Sequence, residues 1–359
     1  MQKYYDYFLG AASPSGFADF FKQLCDNNSP LRTYIIKSGP GCGKSTMMRR
    51  IGARIIKSGY SIEFIHCSSD PDSLEGIICR ELNFAIADGT APHILEPSLP
   101  AAKQDVISLY DSIDKQALIC NLENLRDLFV SNAGFHERSA RFISAAGSLF
   151  FDAERGAVRC ILRDKLIRYV LSLEKKLLPP LNTQKGIEAL RFSSAVTPKG
   201  IVNYAHDNAI NNDRIYVLDD KFGAAGHFLL EHLLTFALNS GYDVTVSRSP
   251  LSPYEKIDML EIPDLSLCLV LSSYIIPVEI ECAKKINMLR FYSKDMLGSN
   301  KNRMAFSRKA ALQLLAQASL LMNEAKSVHD KIEAIYKVNI DFGTVRKREQ
   351  AVLDELHLL

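Results

Sequence analysis

The chain of 359 residues contains an internal repeat, which limits its possible folds more than any other feature of the sequence. Four pairs of segments match at an offset of 182 to 184 residues. The pairs are FLGAASPSGF (8–17) with FSSAVTPKGI (192–201), TYIIKSGPGCGKST (33–46) with IYVLDDKFGAAGHF (215–228), KSGYSIEFIHCSSDP (57–71) with NSGYDVTVSRSPLSP (239–253), and CRELNFAIADGT (79–90) with IPDLSLCLVLSS (262–273). Because the offset is nearly constant, the halves are colinear, and we expect one fold built twice.

The repeated part of each half has the pattern of an α/β unit. A short strand is followed by a helix start, at Ser13-Pro14 in the first half and Thr197-Pro198 in the second. A strand, a glycine-bearing loop and a helix come next, followed by a second strand, a loop with a short helix, and a third strand. The predicted strands are 4–9, 33–37, 61–66 and 82–88, then 189–194, 214–218, 243–247 and 265–271, and the helices after the glycine-bearing loops are 44–58 and 227–240.

The remainder of each half, about 103–177 and 282–338, is predicted to be helical. The Pro- and Gly-containing segment LPPLNTQKG (178–186) is the clearest joint between the halves. We therefore expect one unit at 1–180, with a helical insert at about 100–178, and a second at 186–359 that ends in helices. The strand at 189–194 has an alternative place as the last strand of the first sheet.

Composition excludes some classes of function. The net charge is +2, with basic residues spread along the chain, so there is no clear signal for binding nucleic acid. No apolar run reaches the roughly 18 residues that span a bilayer, and the N-terminal MQKYYDYFLG lacks the pattern of a signal peptide. The eight cysteines form no CxxC pair. These features favour a cytoplasmic protein, and a protein partner is possible.

The segment SGPGCGKST (38–46) matches the phosphate-binding P-loop pattern G-x-x-x-x-G-K-[ST], with Ser38 at the first glycine position. Glycines let backbone N–H groups turn toward an anion, and the following helix directs its positive end to the same place. We expect Lys44 to bind the β- and γ-phosphates, Ser45 to ligate Mg²⁺ and Thr46 to approach the α-phosphate. The predicted nucleotide-binding residues are Gly39, Pro40, Gly41, Cys42, Gly43, Lys44, Ser45 and Thr46.

A P-loop site also needs an acidic partner for the metal and a group that activates the attacking water. Asp88 ends a predicted buried strand and is the expected second Mg²⁺ ligand. Gly89 follows it, so the Asp-Glu pair of many ATPases is absent. We predict Asp70 as the catalytic base, with Asp72, His66 or His93 as alternatives. Asp72 and Ser73 can instead cap a short helix.

Two arginines, Arg138 and Arg141, lie three residues apart on one predicted helix. They can form a lid over the γ-phosphate, or they can belong to a solvated helix face.

The second copy of the loop, DDKFGAAGHF (219–228), has lost the charged groups of the first. Gly226 replaces Lys44 and His227 replaces Ser45, while Asp219 and Asp220 are expected to face the loop mouth. Independently, Leu271 replaces Asp88. We therefore predict that the second half is a pseudo-NTPase unit that binds no nucleotide.

The doubled A-x-[ST]-P-x-G start, GPGCGKST, HCSSDPDSLEG and ADGTAPH together resemble a family of bacterial tandem P-loop ATPases found chiefly in spore-forming Firmicutes. The resemblance covers nearly the whole chain. It implies two P-loop units, the first intact and the second degenerate, and ATP binding. The residues matched by position are Gly41, Gly43, Lys44, Ser45 and Asp88.

The leading prediction is a Mg²⁺-dependent, slow ATPase whose hydrolysis drives a change between the halves. ATP is preferred over GTP because no N-K-x-D guanine-reading motif is present. The alternatives are a small-molecule or nucleoside phosphotransferase and a non-enzymatic ATP-gated switch or scaffold. If the second half reaches the first site, Lys221 and Arg248 are its expected basic residues; otherwise both are solvated surface charges.

Overall fold

The computed structural model describes residues 3–181 and 184–356, which form a mixed α/β protein with two six-stranded sheets. The first half contributes eight strands: β1 (Tyr4–Phe8), β2 (Gly10–Ser13), β3 (Gly16–Asp19), β4 (Arg32–Lys37), β5 (Ile62–Cys67), β6 (Asp70–Cys79), β7 (Phe84–Asp88) and β8 (Gln104–Ser108). Six of them form a sheet in the order β1-β5-β6-β7-β4-β8, and β2 pairs with β3 in a separate hairpin. In this sheet only β6 runs antiparallel to its neighbours.

The second half repeats this arrangement strand for strand. Its strands are β9 (Glu188–Arg191), β10 (Ser194–Thr197), β11 (Gly200–Asn203), β12 (Arg214–Asp219), β13 (Val244–Ser249), β14 (Ser252–Ile262), β15 (Leu267–Ser272) and β16 (Lys284–Asn287). Their order is β9-β13-β14-β15-β12-β16, and β10 pairs with β11. The strand β14, at the place of β6, is again the antiparallel one. Both sheets therefore have one topology, as the repeat predicts.

Eight α-helices accompany the sheets in the described ranges. They are α1 (Lys44–Lys57), α2 (Lys115–Ile119), α3 (Leu122–Arg159), α4 (Arg163–Leu177), α5 (Ala205–Ala209), α6 (Ala224–Asn239), α7 (Lys294–Lys337) and α8 (Phe342–Glu355). The helix α1 buries an apolar face at Met47, Met48, Ile51 and Ile55, as its period predicts. Among these helices, none combines the length and apolar character needed to cross a membrane.

The helices that follow the sheet of each half pack against the other half. The helices α3 and α7 pack antiparallel, and the Asn132 side chain donates to the Ala325 carbonyl across them at 2.7 Å. Beyond α3, α4 packs on α6 of the second half, where Leu166 and Val170 share a core with Leu229. Beyond α7, α8 packs reciprocally on α1 of the first half. The helical tail of each half thus covers the sheet unit of the other.

Several local predictions are wrong because turns occupy the places where helices were expected. The Ser13-Pro14 and Thr197-Pro198 segments turn two β-hairpins, in which Gly16 and Gly200 have φ of +110° and +94°. These left-handed conformations suit glycine. The short helix predicted after His66 is replaced by the strand β6, which folds back on β5 through an irregular bend.

The edge strands of the two sheets also differ from the prediction. The strand β9 pairs in parallel with β13 of the second sheet, so it does not complete the first. The outer strands β8 and β16 occupy the start of the segments predicted to be wholly helical. The edge position beside β4 is therefore filled from within the first half.

Candidate functional site

The first loop (38–43) connects β4 to α1 at the edge where the parallel strands β4 and β7 end. Gly41 and Gly43 have φ of +65° and +80°, the left-handed region that glycine enters without strain. Gly43 is the N-cap of α1, and no side chain caps this helix. The first turn of α1 therefore presents backbone N–H groups that lack intrahelical partners, as in an anion-binding helix start.

Lys44 and Asp88 meet at this loop. The Lys44 Nζ lies 3.2 Å from Asp88 Oδ2, and it donates to the Gly39 carbonyl at 3.0 Å. The side chains are only 15% and 12% exposed, so the pair is weakly screened by solvent. Thr90 fixes the other Asp88 oxygen through its backbone N–H and hydroxyl, at 3.0 and 2.6 Å. Two residues distant in sequence are thus held together as the motif requires.

The other predicted loop residues have distinct surroundings. The Ser45 hydroxyl accepts from the Leu74 backbone N–H at 2.9 Å, which ties α1 to β6. Thr46 is exposed at the start of α1, whereas Cys42 is buried. Burial raises the pKa of the Cys42 thiol.

Asp70 lies at the beginning of β6 rather than in a loop. Its Oδ2 accepts from the Ser73 hydroxyl at 2.9 Å and lies 3.7 Å from the Nζ of Lys326 on α7. Its Oδ1 is buried without a hydrogen-bond partner in the described structure. Asp70 therefore faces the second-half helix α7, and its predicted role as a base remains a prediction.

Glu75 is a site residue that the sequence analysis missed. The pairing of Gly76 with Ala87 in antiparallel β6 and β7 places Glu75 beside Asp88 on the adjacent strand. Burial raises the pKa of the Glu75 carboxyl, and the Asp88 charge adds to this against the opposing effect of His93. Recognition of 70–79 as a strand antiparallel to the Asp88 strand would have revealed Glu75 from the sequence.

His93 lies on the other side of Glu75, with 4.0 Å between its Nε2 and Glu75 Oε1. The imidazole is 3% exposed and stacks on Phe21 with 4.3 Å between ring centroids. Within the described residues, neither ring nitrogen has a hydrogen-bond partner, and neither does Glu75 Oε2. Buried polar atoms are nearly always paired. This cluster therefore has hydrogen-bonding capacity available for a ligand or water.

The other predicted candidates lie in structural contacts. The two ring nitrogens of His66 lie 2.7 Å from Asp6 Oδ1 and from the Pro71 carbonyl, so the imidazole fixes the β5–β6 bend to β1. Arg138 and Arg141 are exposed on α3, and Arg141 pairs with Glu137 one turn away. Their surroundings match the solvated-face alternative.

Elements of the second half support the first loop from outside. A β-carbon added at Gly39 would lie 2.6 Å from the Tyr336 ring, and one at Gly41 would lie 3.0 Å from the Glu333 carbonyl. A neighbouring histidine lowers the pKa of the Glu333 carboxyl, and the Gly41 backbone N–H contributes to this shift. The first loop therefore needs its glycines for the close approach of α7 as well as for its own turns.

The second loop (220–223) is two residues shorter than the first. The preceding strands β4 and β12 end at equivalent positions, but α6 begins at Ala224, two residues earlier than the equivalent start of α1. Asp220 is buried rather than facing the mouth, which corrects the prediction. Its Oδ2 accepts from the Gly226 backbone N–H at 2.8 Å, and its Oδ1 accepts from the Phe222 N–H at 3.1 Å. The partly exposed Asp219 pairs instead with Lys285, 3.3 Å away.

The Tyr292 hydroxyl also forms hydrogen bonds within the second loop. It accepts from the Ala225 backbone N–H at 2.9 Å and donates to the Asp220 carboxyl. Ala225 and Gly226 are the counterparts of Gly43 and Lys44. The N–H groups at these positions, which in the first half face an open cradle, are therefore satisfied by the protein itself.

The second-half residues at the positions of Asp88, Ser45 and Glu75 are also buried. Matching strand registers place Leu271 at the position of Asp88, and its side chain packs against Gly226. His227, at the position of Ser45, is buried, and burial lowers its pKa to about 4. Asp258, at the position of Glu75, keeps a carboxyl whose pKa burial raises to about 7.

The basic residues expected to reach across from the second half make other contacts. Arg248 pairs with Glu188 at 2.9 Å and Glu231 at 2.8 Å within its own half. Lys221 lines a small pocket beside Phe222 and Arg308 at the second loop. Two other second-half lysines contact the start of β6: Lys326 lies 3.7 Å from Asp70, and Lys199 lies 2.6 Å from the exposed Asp72.

No group of three or more His, Cys, Asp or Glu side chains in the described part of the chain is arranged to hold a metal ion by itself. Comparison of the chain with protein-family models, curated proteins and solved structures gave no match.

Proposed function

We propose that the first half binds Mg-ATP at the first loop and hydrolyses it. The observation that carries this proposal is the 3.2 Å Lys44–Asp88 pair beside an uncapped helix start, next to a buried carboxyl with an unpartnered oxygen. The backbone N–H groups of 42–46 and the Lys44 ammonium supply positive charge for the phosphates. ATP is preferred over GTP on sequence grounds alone.

The residues present fit a magnesium ion that arrives with the nucleotide. Mg²⁺ commonly takes only one or two protein ligands and completes its octahedron with water and phosphate oxygens. Asp88 and Ser45 would hold it, and the ion would neutralise charge on the β- and γ-phosphates. Such a site needs no cluster of three protein carboxylates or imidazoles.

Glu75 is the best-placed carboxyl to orient and deprotonate a water molecule. It lies beside Asp88 on the adjacent strand, and burial raises its pKa toward the range where a general base is effective. His93 would fix the orientation of its carboxyl from the far side. This arrangement favours hydrolysis over a purely non-enzymatic switch, and Asp70 remains a second candidate base.

A set of three variants tests the proposal. Lys44→Ala removes charge-assisted hydrogen bonds, so Mg-ATP affinity should fall at least about tenfold by calorimetry. Glu75→Gln should retain binding but lower turnover by about 100-fold or more, the range expected on loss of a general base. Lys57→Ala, an exposed lysine at the far end of α1, is the matched control and should behave as wild type.

Two outcomes contradict the proposal separately. An unchanged dissociation constant in Lys44→Ala would remove the first loop as the nucleotide site. Normal turnover in Glu75→Gln would leave nucleotide binding intact but remove the role of Glu75, and Asp70→Asn would then be the next variant to measure.

A further inference from the structure

The helix α7 of the second half runs across the mouth of the first site. Glu333 touches the first loop at Gly41, and Lys326 lies two turns earlier on the same face of the helix. Seven residues of α-helix span about 10 Å. Over that distance α7 passes from the first loop to the beginning of β6, where Lys326 Nζ lies 3.7 Å from Asp70 Oδ2.

The terminal phosphate of a bound nucleotide would lie on this side of the loop. Lys44, Asp88 and Glu75 border the cradle, and β6 leads from Glu75 back to Asp70. A lysine side chain extends about 6 Å from its Cα and can rotate about several bonds, so its charge can shift between neighbouring acceptors. Lys326 is therefore within reach of an anion bound between the first loop and the start of β6.

The present partners of Lys326 are weak competitors for its charge. Its ammonium contacts Asp330 at 2.9 Å and Asp70 at 3.7 Å, and its side chain is 26% exposed. The Asp330 side chain is 56% exposed, and a partly exposed ion pair one turn apart on a helix contributes little net stability. A γ-phosphate carries more negative charge than a carboxylate. If it bound near Asp70 and Asp330, a cation such as Lys326 would be required between the phosphate and these carboxylates to offset their repulsion.

We propose that Lys326 binds the terminal phosphate of the nucleotide held by the first half, so that the second half completes a site it does not itself contain. This inference rests on the proposed function. It makes Lys326 a residue that distinguishes a triphosphate from a diphosphate, because ADP lacks the group that Lys326 contacts. It also gives the degenerate half a chemical reason to remain joined to the intact one.

The test compares two nucleotides on the full-length chain by calorimetry with Mg²⁺: ADP and a non-hydrolysable ATP analogue. Lys326→Ala should weaken the analogue at least about tenfold, the value of one charge-assisted hydrogen bond, and leave ADP within twofold. Lys326→Arg should restore most of the analogue affinity. Lys331→Ala, an exposed lysine on the same helix, should change neither.

The outcomes separate this inference from the proposed function. If wild type binds neither nucleotide, the proposed function fails, and this inference fails with it. If wild type binds both and Lys326→Ala weakens both equally, Lys326 only stabilises the fold around the site. If Lys326→Ala weakens neither, it has no role at the terminal phosphate.

Discussion

The first loop and the second loop share a strand, a turn and a helix, yet they solve the same hydrogen-bonding problem in opposite ways. Every helix start presents backbone N–H groups that need acceptors. The first loop leaves them directed at a cradle bordered by Lys44 and Asp88. The second loop supplies Asp220 and Tyr292 as its own acceptors. In the second loop a buried carboxyl thus accepts the backbone N–H groups whose counterparts in the first loop are proposed to bind a phosphate.

The second unit keeps the packed core of the first although its loop differs. The helix α6 buries Leu229, Leu230 and Leu233 against its sheet and α4. Ala225 stands at the position of Gly43, and α6 begins two residues earlier than α1 does, which shortens the loop. The second unit therefore has the same packing of helix on sheet as the first, with a shorter loop between strand and helix.

The largest expected difference between the loops is in the stability lost when Asp220 or its counterpart Ser38 is replaced by alanine. Asp220→Ala would leave the Gly226 and Phe222 N–H groups and the Tyr292 hydroxyl without their acceptor in a buried place. We expect a loss of about 2–4 kcal/mol in the free energy of unfolding, at 1–3 kcal/mol per buried unsatisfied group with partial relaxation. Urea denaturation measures it.

The matched variant is Ser38→Ala, because the Ser38 hydroxyl stands at the position of the Asp220 carboxyl but donates to the neighbouring Gly39 carbonyl, at 3.1 Å. Ser38 is buried and hydrogen-bonded, so this substitution should cost about 1 kcal/mol, the usual net value of one hydrogen bond. Equal effects of the two substitutions would show that Asp220 is not the internal acceptor of the second loop.

A smaller difference is expected in the pH dependence of stability at His227 and Ser45. Burial lowers the folded-state pKa of His227 to about 4 from an ordinary value of 6.5, so the folded protein binds fewer protons than the unfolded chain between these values. Stability contributed by neutral His227 is thus present above pH 6.5 and is lost as the pH falls toward 4. At about 1.4 kcal/mol for each pH unit between the two pKa values, the loss is at most about 3.4 kcal/mol.

The comparison of wild type with His227→Gln isolates this effect. Buried Asp258 and Glu261, whose pKa values are each raised to about 7, titrate in the opposite sense but are common to both proteins. The stability difference between variant and wild type should shift in favour of the variant on acidification from pH 7 to pH 4.5. Ser45→Ala should show no such shift, and a pH-independent difference for His227→Gln would contradict the burial of a neutral imidazole.

The sequence was sufficient for those features that are encoded locally or by repetition. The offset between halves predicted two units, and the structure has the same strand order in each. The spacing of SGPGCGKST predicted a loop ahead of α1, and the apolar run before Asp88 predicted a strand next to it. The approach of Lys44 to Asp88 followed from parallel strands ending at one edge.

The features missed by the sequence analysis depend on long-range pairing. The segment 70–79 contains Pro71 and Asp72, which favour a turn, and its strand character comes from pairing with both β5 and β7. Glu75 was therefore not recognised as a neighbour of Asp88. The exchange of α4 and α8 between halves has no local signal, because an amphipathic helix does not specify which sheet it covers. The contact of Lys326 on α7 with the first half could not be predicted for the same reason.

The most direct test of the comparison is the number of nucleotides bound per chain. Titration of full-length protein with a non-hydrolysable Mg-ATP analogue in a calorimeter should give one site, and Lys44→Ala should remove or severely weaken it. A single site is expected because Asp220, Tyr292 and Leu271 already fill the second loop. Two nucleotides per chain, or one that remains at full affinity in Lys44→Ala, would contradict it.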